Sequence, residues 1–195
     1  PDTPQAELKW HGALVAAVAA DTEEIATDAA RAIKVDYEVL PHLVDDQNIE
    51  KAGEAAKSAG EKLQPDGLDI DAIFKGEDVV VVEGQYGIAM INNCCLEPHG
   101  IVAEWKSKDE LDLWLSTQNV SQGGGQGGGI GRGLGIPPGN VHSVCEYVGG
   151  GFGSKFSPDQ WDGAAAKLAQ KAGKPVKIML DRDVELLTAG SRPSA

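Results

Sequence analysis

Apolar residues in this chain recur with two different periods, and the changes of period mark out its elements. Gly12 to Ala20 (GALVAAVAA) is a short run of small apolar residues, the form of a buried strand. Asp21-Thr22-Glu23-Glu24 follows, with Asp21 as the expected cap, Glu24 three residues on, and acids in the positive first turn. Ile25, Ala29 and Ile33, with Ala26 and Ala30 beside them, make a narrow apolar stripe and predict a helix over 22–33. Val35, Tyr37 and Val39 then alternate with charged neighbours as far as Pro41, the pattern of a half-buried strand. Strand, helix and strand together make a βαβ-like unit over about 12–40.

Asp45 to Gly76 is polar, rich in Ala, Lys and Glu, and punctuated by Gly53, Gly60, Pro65 and Gly67, so it reads as a connecting segment with some helix around 48–62. From Asp78 the β character rises. Val79 to Val82 leads through Gly84 to Tyr86 and Ile91, a long or bent strand. Ile101–Trp105 and Leu111–Leu115 flank the polar turn Lys106 to Glu110 and predict a hairpin, with Trp105, Leu111, Leu113 and Leu115 in its core. Gly123 to Gly133 holds eight glycines in eleven residues. Each costs a helix interior about 1 kcal/mol relative to Ala, so a loop or linker is expected there. Val141–Val148 reads as a strand running straight into Gly149-Gly150-Gly151-Phe152-Gly153-Ser154-Lys155. Ser157-Pro158-Asp159-Gln160 then starts a helix, with Ser157 as the expected cap, Trp161, Ala165, Leu168 and Ala169 as its apolar face and Gly173 as its stop. A strand over 175–180 and a short helix over 183–189 follow, and the tail after Gly190 shows no closing element.

Composition narrows the function. The chain has 195 residues, 42 % hydrophobic and 24 % charged, the balance of a protein that buries a core. Lys and Arg number 17 against 30 Asp and Glu, a formal net charge of −13 that repels phosphate backbones and argues against nucleic-acid binding. No apolar run approaches the ~20 residues that span a bilayer. The first residues have neither the basic nor the apolar region of a signal peptide, and the absence of an initiator Met reads as a processed chain or a fragment. Cys94, Cys95 and Cys145 are an odd set without zinc spacing, and reduced thiols are expected.

The best seat for chemistry is the glycine turn after Val148, where main-chain amides can approach a polar or anionic ligand. A tight strand-to-helix turn is the competing reading. A P-loop is excluded because Gly153 is followed by Ser154-Lys155-Phe156, and the G-x-G-x-x-G match at Gly123 arises only because nearly every residue there is Gly. Gln118, leaving a strand between Thr117 and Asn119, could donate to a ligand oxygen or simply satisfy the strand end. Glu97 and His99 could do acid–base work, although Pro98 between them suggests a turn. His11, His42 and His142 have no neighbours at metal-ligand spacing, and Cys94 and Cys95 read as small buried residues on a strand.

Taken in order, VAAVAADTEEIATDAARAIKVDYEVLP, CCLEPHGIVAEW, LWLSTQN, LGIPPGNVHSVCEYVGGGFGSK and KPVKIMLDRDVELL resemble the molybdopterin-binding large subunit of the xanthine dehydrogenase and aldehyde oxidase family of molybdenum hydroxylases. The resemblance covers most of the chain. It implies an α+β chain: 1–47 as the latter part of an α/β hammerhead domain, 48–77 as a connecting segment and 78–195 as the start of a molybdopterin-binding domain. It implies a molybdenum–molybdopterin cofactor, plain or as the cytosine dinucleotide, with iron–sulfur clusters and FAD on partner chains or domains. It implies oxidation of an aldehyde or N-heterocycle with water as the oxygen source. Gln118 matches the glutamine that hydrogen-bonds a molybdenum oxygen ligand, and Gly150, Gly151, Phe152 and Gly153 match the loop that approaches metal and pterin through its backbone. No residue of the chain is implied as a direct metal ligand. The general-base glutamate belongs to a motif with no counterpart here, so no catalytic residue is expected in this chain and the chain alone should be inactive.

Two departures matter. Phe156 stands where purine-oxidising members carry a substrate-binding Glu, which disfavours purines. The glycine stretch at 122–133 replaces an amphipathic helix. The implied partners are the rest of the large subunit, an iron–sulfur subunit, a FAD subunit and a small-molecule substrate; the implied compartment is the cytoplasm, with the periplasm as the alternative. The other reading is a non-catalytic assembly module that kept the fold and lost the site. Phe156 and the glycine stretch favour it, and Gln118 with an intact GGGFG argues against it. A phosphate-binding domain is a third, weak reading.

Overall fold

In the computed structural model, residues 7–44, 50–53, 67–120 and 125–193 are described. They divide into two units, one formed by the N-terminal residues to Ile33 together with Gly87 onward, the other by Lys34–Tyr86. Among the described residues no helix is long and apolar enough to cross a membrane.

In the first unit α1 spans Glu23–Arg31. Its cap is Thr22, whose hydroxyl accepts from the Ile25 amide, in place of the expected Asp21, and Glu23 and Glu24 still occupy the first turn. Ile25 of the apolar stripe is 56 % exposed. Residues 12–20, expected as a strand, form none and have no ladder partner among the described residues. A strand pattern specifies an extended backbone with one apolar face; the sheet itself needs a neighbour. Leu14 instead donates its amide to Gln160 Oε1 at 2.9 Å.

The second unit shows the same shortfall. Val35, Tyr37 and Val39 are exposed and lie in no strand, and Val79–Tyr86 is likewise exposed and outside any strand. A short helix that the pattern did not predict, α2, spans Ile70–Phe74 and is capped by Asp69, which accepts from the Ala72 amide at 3.0 Å. Of the helix expected around 48–62, residues 50–53 form a single 3-10 turn, and 54–62 lie outside the described residues.

The rest of the first unit is where the chain builds a core. A two-residue β1 (Ile91–Asn92) is followed by the expected hairpin, β2 (Gly100–Ser107) and β3 (Glu110–Leu115). Then come α3 (Gly125–Leu134), β4 (Val141–Val144), α4 (Gln160–Ala172), β5 (Val176–Met179), α5 (Arg182–Thr188) and β6 (Ser191–Arg192). The four-stranded sheet has the order β4-β3-β2-β5, with β3 and β4 parallel and the other pairs antiparallel. The architecture is α+β. Ile101, Ala103, Leu111, Leu113 and Leu115 on the sheet meet Ala165, Ala166 and Ala169 of α4, and the Trp105 indole donates to Ala166 O at 2.8 Å. Of the four hairpin positions expected in the core, Leu111, Leu113 and Leu115 are in it and Trp105 packs at its margin.

Several boundaries moved. β4 stops at Val144 rather than 148, because the glycines beyond belong to a turn. The cap of α4 is Asp159, not Ser157; its amide donates to Asp162 Oδ2 at 2.9 Å, and Gly173 ends the helix in the left-handed region at φ 61°. The tail does carry an element, since β6 pairs antiparallel with β1.

The largest correction is the glycine stretch, which forms α3 despite its low propensity. Packing decides the matter. A Cβ on Gly131 would stand 2.6 Å from Val141 Cγ2 and one on Gly129 would stand 2.5 Å from Pro158 Cγ, so larger residues would hold the helix away from β4 and α4. Gln126 Nε2 also donates to the buried Asp162 Oδ2 at 2.8 Å, tying α3 to α4. The helix stands where the resemblance expects one. A Cβ on Gly163 of α4 would meet nothing within 4 Å, so Gly163→Ala is expected to stabilise the fold by about 0.5–1 kcal/mol, while Gly131→Ala destabilises it. Denaturant melts of the two variants should shift in opposite directions.

Candidate functional site

The parallel pair β3–β4 sets the site. Both strands run the same way, so their C-terminal ends lie side by side, and the segments leaving them, 116–119 and 145–155, emerge at one edge of the sheet. Such an edge is where an open sheet presents loops to a ligand.

Thr117 and Gln118 are bound to the glycine turn by main chain and side chain together. Thr117 Oγ1 donates to Lys155 O at 3.0 Å, and the Gln118 amide donates to the same oxygen at 3.3 Å. Gln118 Oε1 accepts from the Gly153 amide at 2.8 Å and from the Lys155 amide at 3.3 Å. Two donors facing this atom identify it as the oxygen. Gln118 Nε2 therefore points away from them and donates to no protein acceptor among the described residues. Asn119 Nδ2 donates to Phe156 O at 3.1 Å.

The turn itself is tight. Gly150 and Gly153 have φ of 106° and 98°, and Phe152, an L residue, is held at φ 51°. The Ser154 amide and hydroxyl both donate to Gly151 O, at 2.9 and 2.7 Å. Gly151 packs so closely on Gln118 that a Cβ would stand 2.2 Å from Oε1. Phe152 is left 64 % exposed at the tip. The sequence-predicted residues Gln118, Gly150, Gly151, Phe152 and Gly153 are thus assembled in one place. A carboxamide donor, a strained backbone and an exposed ring at one sheet edge suit a ligand that carries oxygen atoms and a flat face.

Beneath the turn lie residues to which the sequence reading assigned no such role. Lys155 is fully buried, and its Nζ donates to Glu97 O at 2.8 Å, Glu97 Oε2 at 3.1 Å and Ser116 Oγ at 2.6 Å. Burial works to raise the Glu97 pKa, but the hydrogen bonds from Lys155 and the Gly149 amide outweigh it and hold the carboxyl below its ordinary value. His99, 1 % exposed, places Nδ1 3.0 Å from Glu185 Oε1 and Nε2 3.1 Å from Ser154 O; its main-chain amide donates to the same Glu185 oxygen. Glu97 and His99, candidates for acid–base work, are therefore both engaged in holding the turn. No sequence signal singles out a buried Lys, since lysine is rarely buried at all.

The other candidates lie elsewhere. His142 Nε2 stands 3.3 Å from Glu110 Oε1 on the surface, and His42 Nδ1 is 3.0 Å from Leu40 O. The three cysteines are free; Cys94, with φ 39°, follows β1 in a loop rather than lying on a strand, and Cys95 is buried with Sγ 3.8 Å from Ser154 Oγ. A separate cavity of about 430 Å3 lies between Trp10, Trp161, Leu186 and Asp159 and includes none of the turn residues. There burial, and behind it the Asp162 charge, push the Asp159 carboxyl up to about 6, with His99 pulling the other way. The folded state thus binds a proton that the unfolded chain releases near 3.8, so stability falls as pH rises from 3.8 through 6. Asp159→Asn keeps the helix cap and is expected to raise stability at pH 7 and flatten that slope, as urea melts between pH 4 and 7 would show.

Comparison with known proteins gives a consistent result. A family model described as "Molybdopterin cofactor-binding domain" matches residues 52–195. The chain is similar to the xanthine dehydrogenase/oxidase of Mus musculus, 34% identical over 188 residues, covering 95% of this chain and 14% of that protein. It is 32% identical over 183 residues to the xanthine dehydrogenase/oxidase of Gallus gallus, covering 93% of this chain and 13% of that protein. Among solved structures, the quinoline 2-oxidoreductase of Pseudomonas putida 86 aligns with a TM-score of 0.70 and 28% identity, covering 88% of this chain and 22% of that one. The aldehyde oxidoreductase of Desulfovibrio gigas aligns with a TM-score of 0.70 and 27% identity, covering 90% and 19%. The chain thus spans about one seventh of the length of the curated relatives it matches.

Proposed function

The chain belongs to the molybdopterin cofactor-binding domain family of the molybdenum hydroxylases, and from that premise we propose that it contributes cofactor-contacting loops to the large subunit of an enzyme oxidising an aldehyde or N-heterocycle with water as the oxygen source. The observation that carries the reading is Gln118, whose oxygen is tied down by two main-chain amides while Nε2 is left to donate outward. The residues present fit the cofactor: a flat ligand bearing oxygen ligands suits an outward amide donor beside an exposed ring, and Gly151 leaves no side chain between them.

When bound, a molybdenum–molybdopterin group supplies the redox chemistry. Gln118 would hold the group through Nε2, whose aim is fixed by the two amides on Oε1 before any ligand arrives, so no reorganisation would be needed. Gly150, Gly151 and Gly153 would let the backbone approach the group, and Phe152 would present an aromatic face that excludes water from it. The general base, the iron–sulfur clusters and FAD would be supplied by other parts of the enzyme, and residues 1–195 alone are expected to be inactive. Residues 1–47 are assigned to an α/β hammerhead domain, 48–77 to a connection and 78–195 to the molybdopterin-binding domain. Phe156, 53 % exposed, offers an apolar side chain and no carboxylate for a purine, which supports an aldehyde or simple N-heterocycle. The names of the relatives divide, a quinoline and an aldehyde oxidoreductase on one side and two xanthine dehydrogenase/oxidases on the other, so the choice rests on Phe156.

Metal and pterin analysis of the complete natural polypeptide tests the reading. Molybdenum and pterin are expected to copurify with it, and Gln118→Ala should lower kcat by about 10²–10³-fold, the usual effect of removing one such donor. Absence of both from the complete subunit would overturn the proposal in favour of an assembly module. That module would keep its partner binding when Gln118 and Phe152 are replaced.

A further inference from the structure

The glycine turn has two ends, Gly149 and Lys155, and one residue outside it touches both. Glu97 Oε2 accepts from the Gly149 amide at 3.0 Å and from Lys155 Nζ at 3.1 Å. The main chain of Glu97 repeats the pattern: its amide donates to Gly149 O at 3.2 Å and its carbonyl accepts from Lys155 Nζ at 2.8 Å. We propose that Glu97 and Lys155 form a clasp that closes the base of the turn and are the positioning residues of the cofactor site. The inference rests on the reading of Gln118 and the turn given above and goes beyond it, since neither residue reaches the tip where the ligand binds.

The hydrogen-bond inventory supports a holding role. An ammonium has three donors, and Lys155 spends them on Glu97 O, Glu97 Oε2 and Ser116 Oγ, with no proton left for a ligand. Ser116 Oγ passes its own proton to Pro98 O at 2.9 Å. The side chain therefore joins the turn to the segment before β2 and to the exit of β3, two residues before Gln118. The main chain of Lys155 does the complementary job, accepting from Thr117 Oγ1 and from the Gln118 amide. Burying a lysine is tolerated only with a full set of partners and a counter-charge, and here both exist. The carboxylate is held below its ordinary pKa and stays ionised, so the clasp is a charged one.

The fit at Gly149 is equally close. A Cβ there would stand 2.3 Å from Glu97 Cβ, so the turn lies directly against the clasp residue. Loss of the clasp frees both ends of the turn together, and the spacing between Gln118 Nε2 and the Gly151–Gly153 backbone is no longer held.

The test uses the complete molybdenum subunit with its partner chains, in six forms: wild type, Glu97→Ala, Glu97→Gln, Lys155→Met, the double variant Glu97→Ala/Lys155→Met and Gln118→Ala. Glu97→Gln keeps an acceptor for the Gly149 amide and for Lys155 but not the counter-charge, so it should rescue part of what Glu97→Ala loses. Expected for Glu97→Ala and Lys155→Met are molybdenum release on dilution about 10- to 100-fold faster than in wild type, a fall in kcat with KM little changed, and faster amide hydrogen exchange across 149–155. The double variant Glu97→Ala/Lys155→Met should be no worse than the poorer single one, because both remove the same clasp. If Lys155→Met does not fold, the comparison of Glu97→Ala with Glu97→Gln decides. Wild-type metal retention, kcat and exchange in Glu97→Ala, with Gln118→Ala still impaired, would overturn the clasp and leave the site standing. Equal losses in Glu97→Ala and Glu97→Gln would also overturn it. A wild-type subunit without molybdenum would instead overturn the reading of the site itself.

Discussion

Gly151→Ala is expected to lower turnover of the complete enzyme by about 100-fold or more, the scale of loss that follows an ångström of misplacement in a reacting site. The new Cβ would stand 2.2 Å from Gln118 Oε1, 2.5 Å from Cδ and 2.9 Å from Cβ. Gln118 has little room to yield, because Oε1 is held by two amides and its own amide is bound to Lys155 O. Gly151 does not have a positive φ, so alanine fits its backbone and the fold should survive. The damage is confined to the aim of the carboxamide. Steady-state kinetics with molybdenum content and circular dichroism would check this. In a Gln118→Ala background Oε1 and Cδ are gone and only the Cβ contact at 2.9 Å remains, so adding Gly151→Ala should then cost much less than it does alone. Full activity in the single variant would show that the Gln118 side chain leaves the turn without consequence.

Glu185→Ala is expected to destabilise the fold by about 2–5 kcal/mol, because each buried donor left without an acceptor costs about 1–3 kcal/mol. Glu185 is 4 % exposed and His99 1 %, and no solvent reaches either to replace a lost bond. Oε1 receives the His99 amide and Nδ1 together, while Nε2 of the same ring holds Ser154 O at 3.1 Å. Removing the carboxylate leaves two buried donors without an acceptor, which outweighs the volume lost with the side chain. Since the ring edge also meets Trp161 at a centroid distance of 5.6 Å, it cannot swing far to find another partner. Glu185→Gln retains an acceptor and should lose distinctly less. Denaturant melts measure both variants; a loss under about 1 kcal/mol for Glu185→Ala would mean that the pair is not sealed from water.

Much of the core was legible from periodicity. Alternation over Ile101–Trp105 and Leu111–Leu115 identified a hairpin whose inward residues are those the structure buries. The helix over 160–172 was readable because its apolar spacing and Gly173 agree, even though the cap shifted from Ser157 to Asp159. The strands expected over 12–20, 34–40 and 79–91 form no ladder among the described residues except at Ile91, for a single reason: the pattern reports alternation with an apolar face, whereas a ladder also requires a neighbour that no local window contains. The glycine stretch failed in the opposite sense. Propensity argues against a helix there, but the absence of side chains on Gly129 and Gly131 is what allows α3 to lie against Pro158 and Val141.

The candidate site divides along the same line. STQN and GGGFGSK were recognisable as strings, because a tight glycine turn and a polar strand end carry their chemistry in residue type. Glu97 and Lys155 carry theirs in position. One lies between two strands and the other closes the motif, and their partnership exists only because β3 and β4 run parallel and bring 97, 116 and 155 beneath one turn. The sequence by itself determined which backbone could bend and which side chains could donate. Tertiary structure alone decided which of those groups meet and which charges are buried, because burial and hydrogen-bond partnership depend on contacts between segments far apart in the chain.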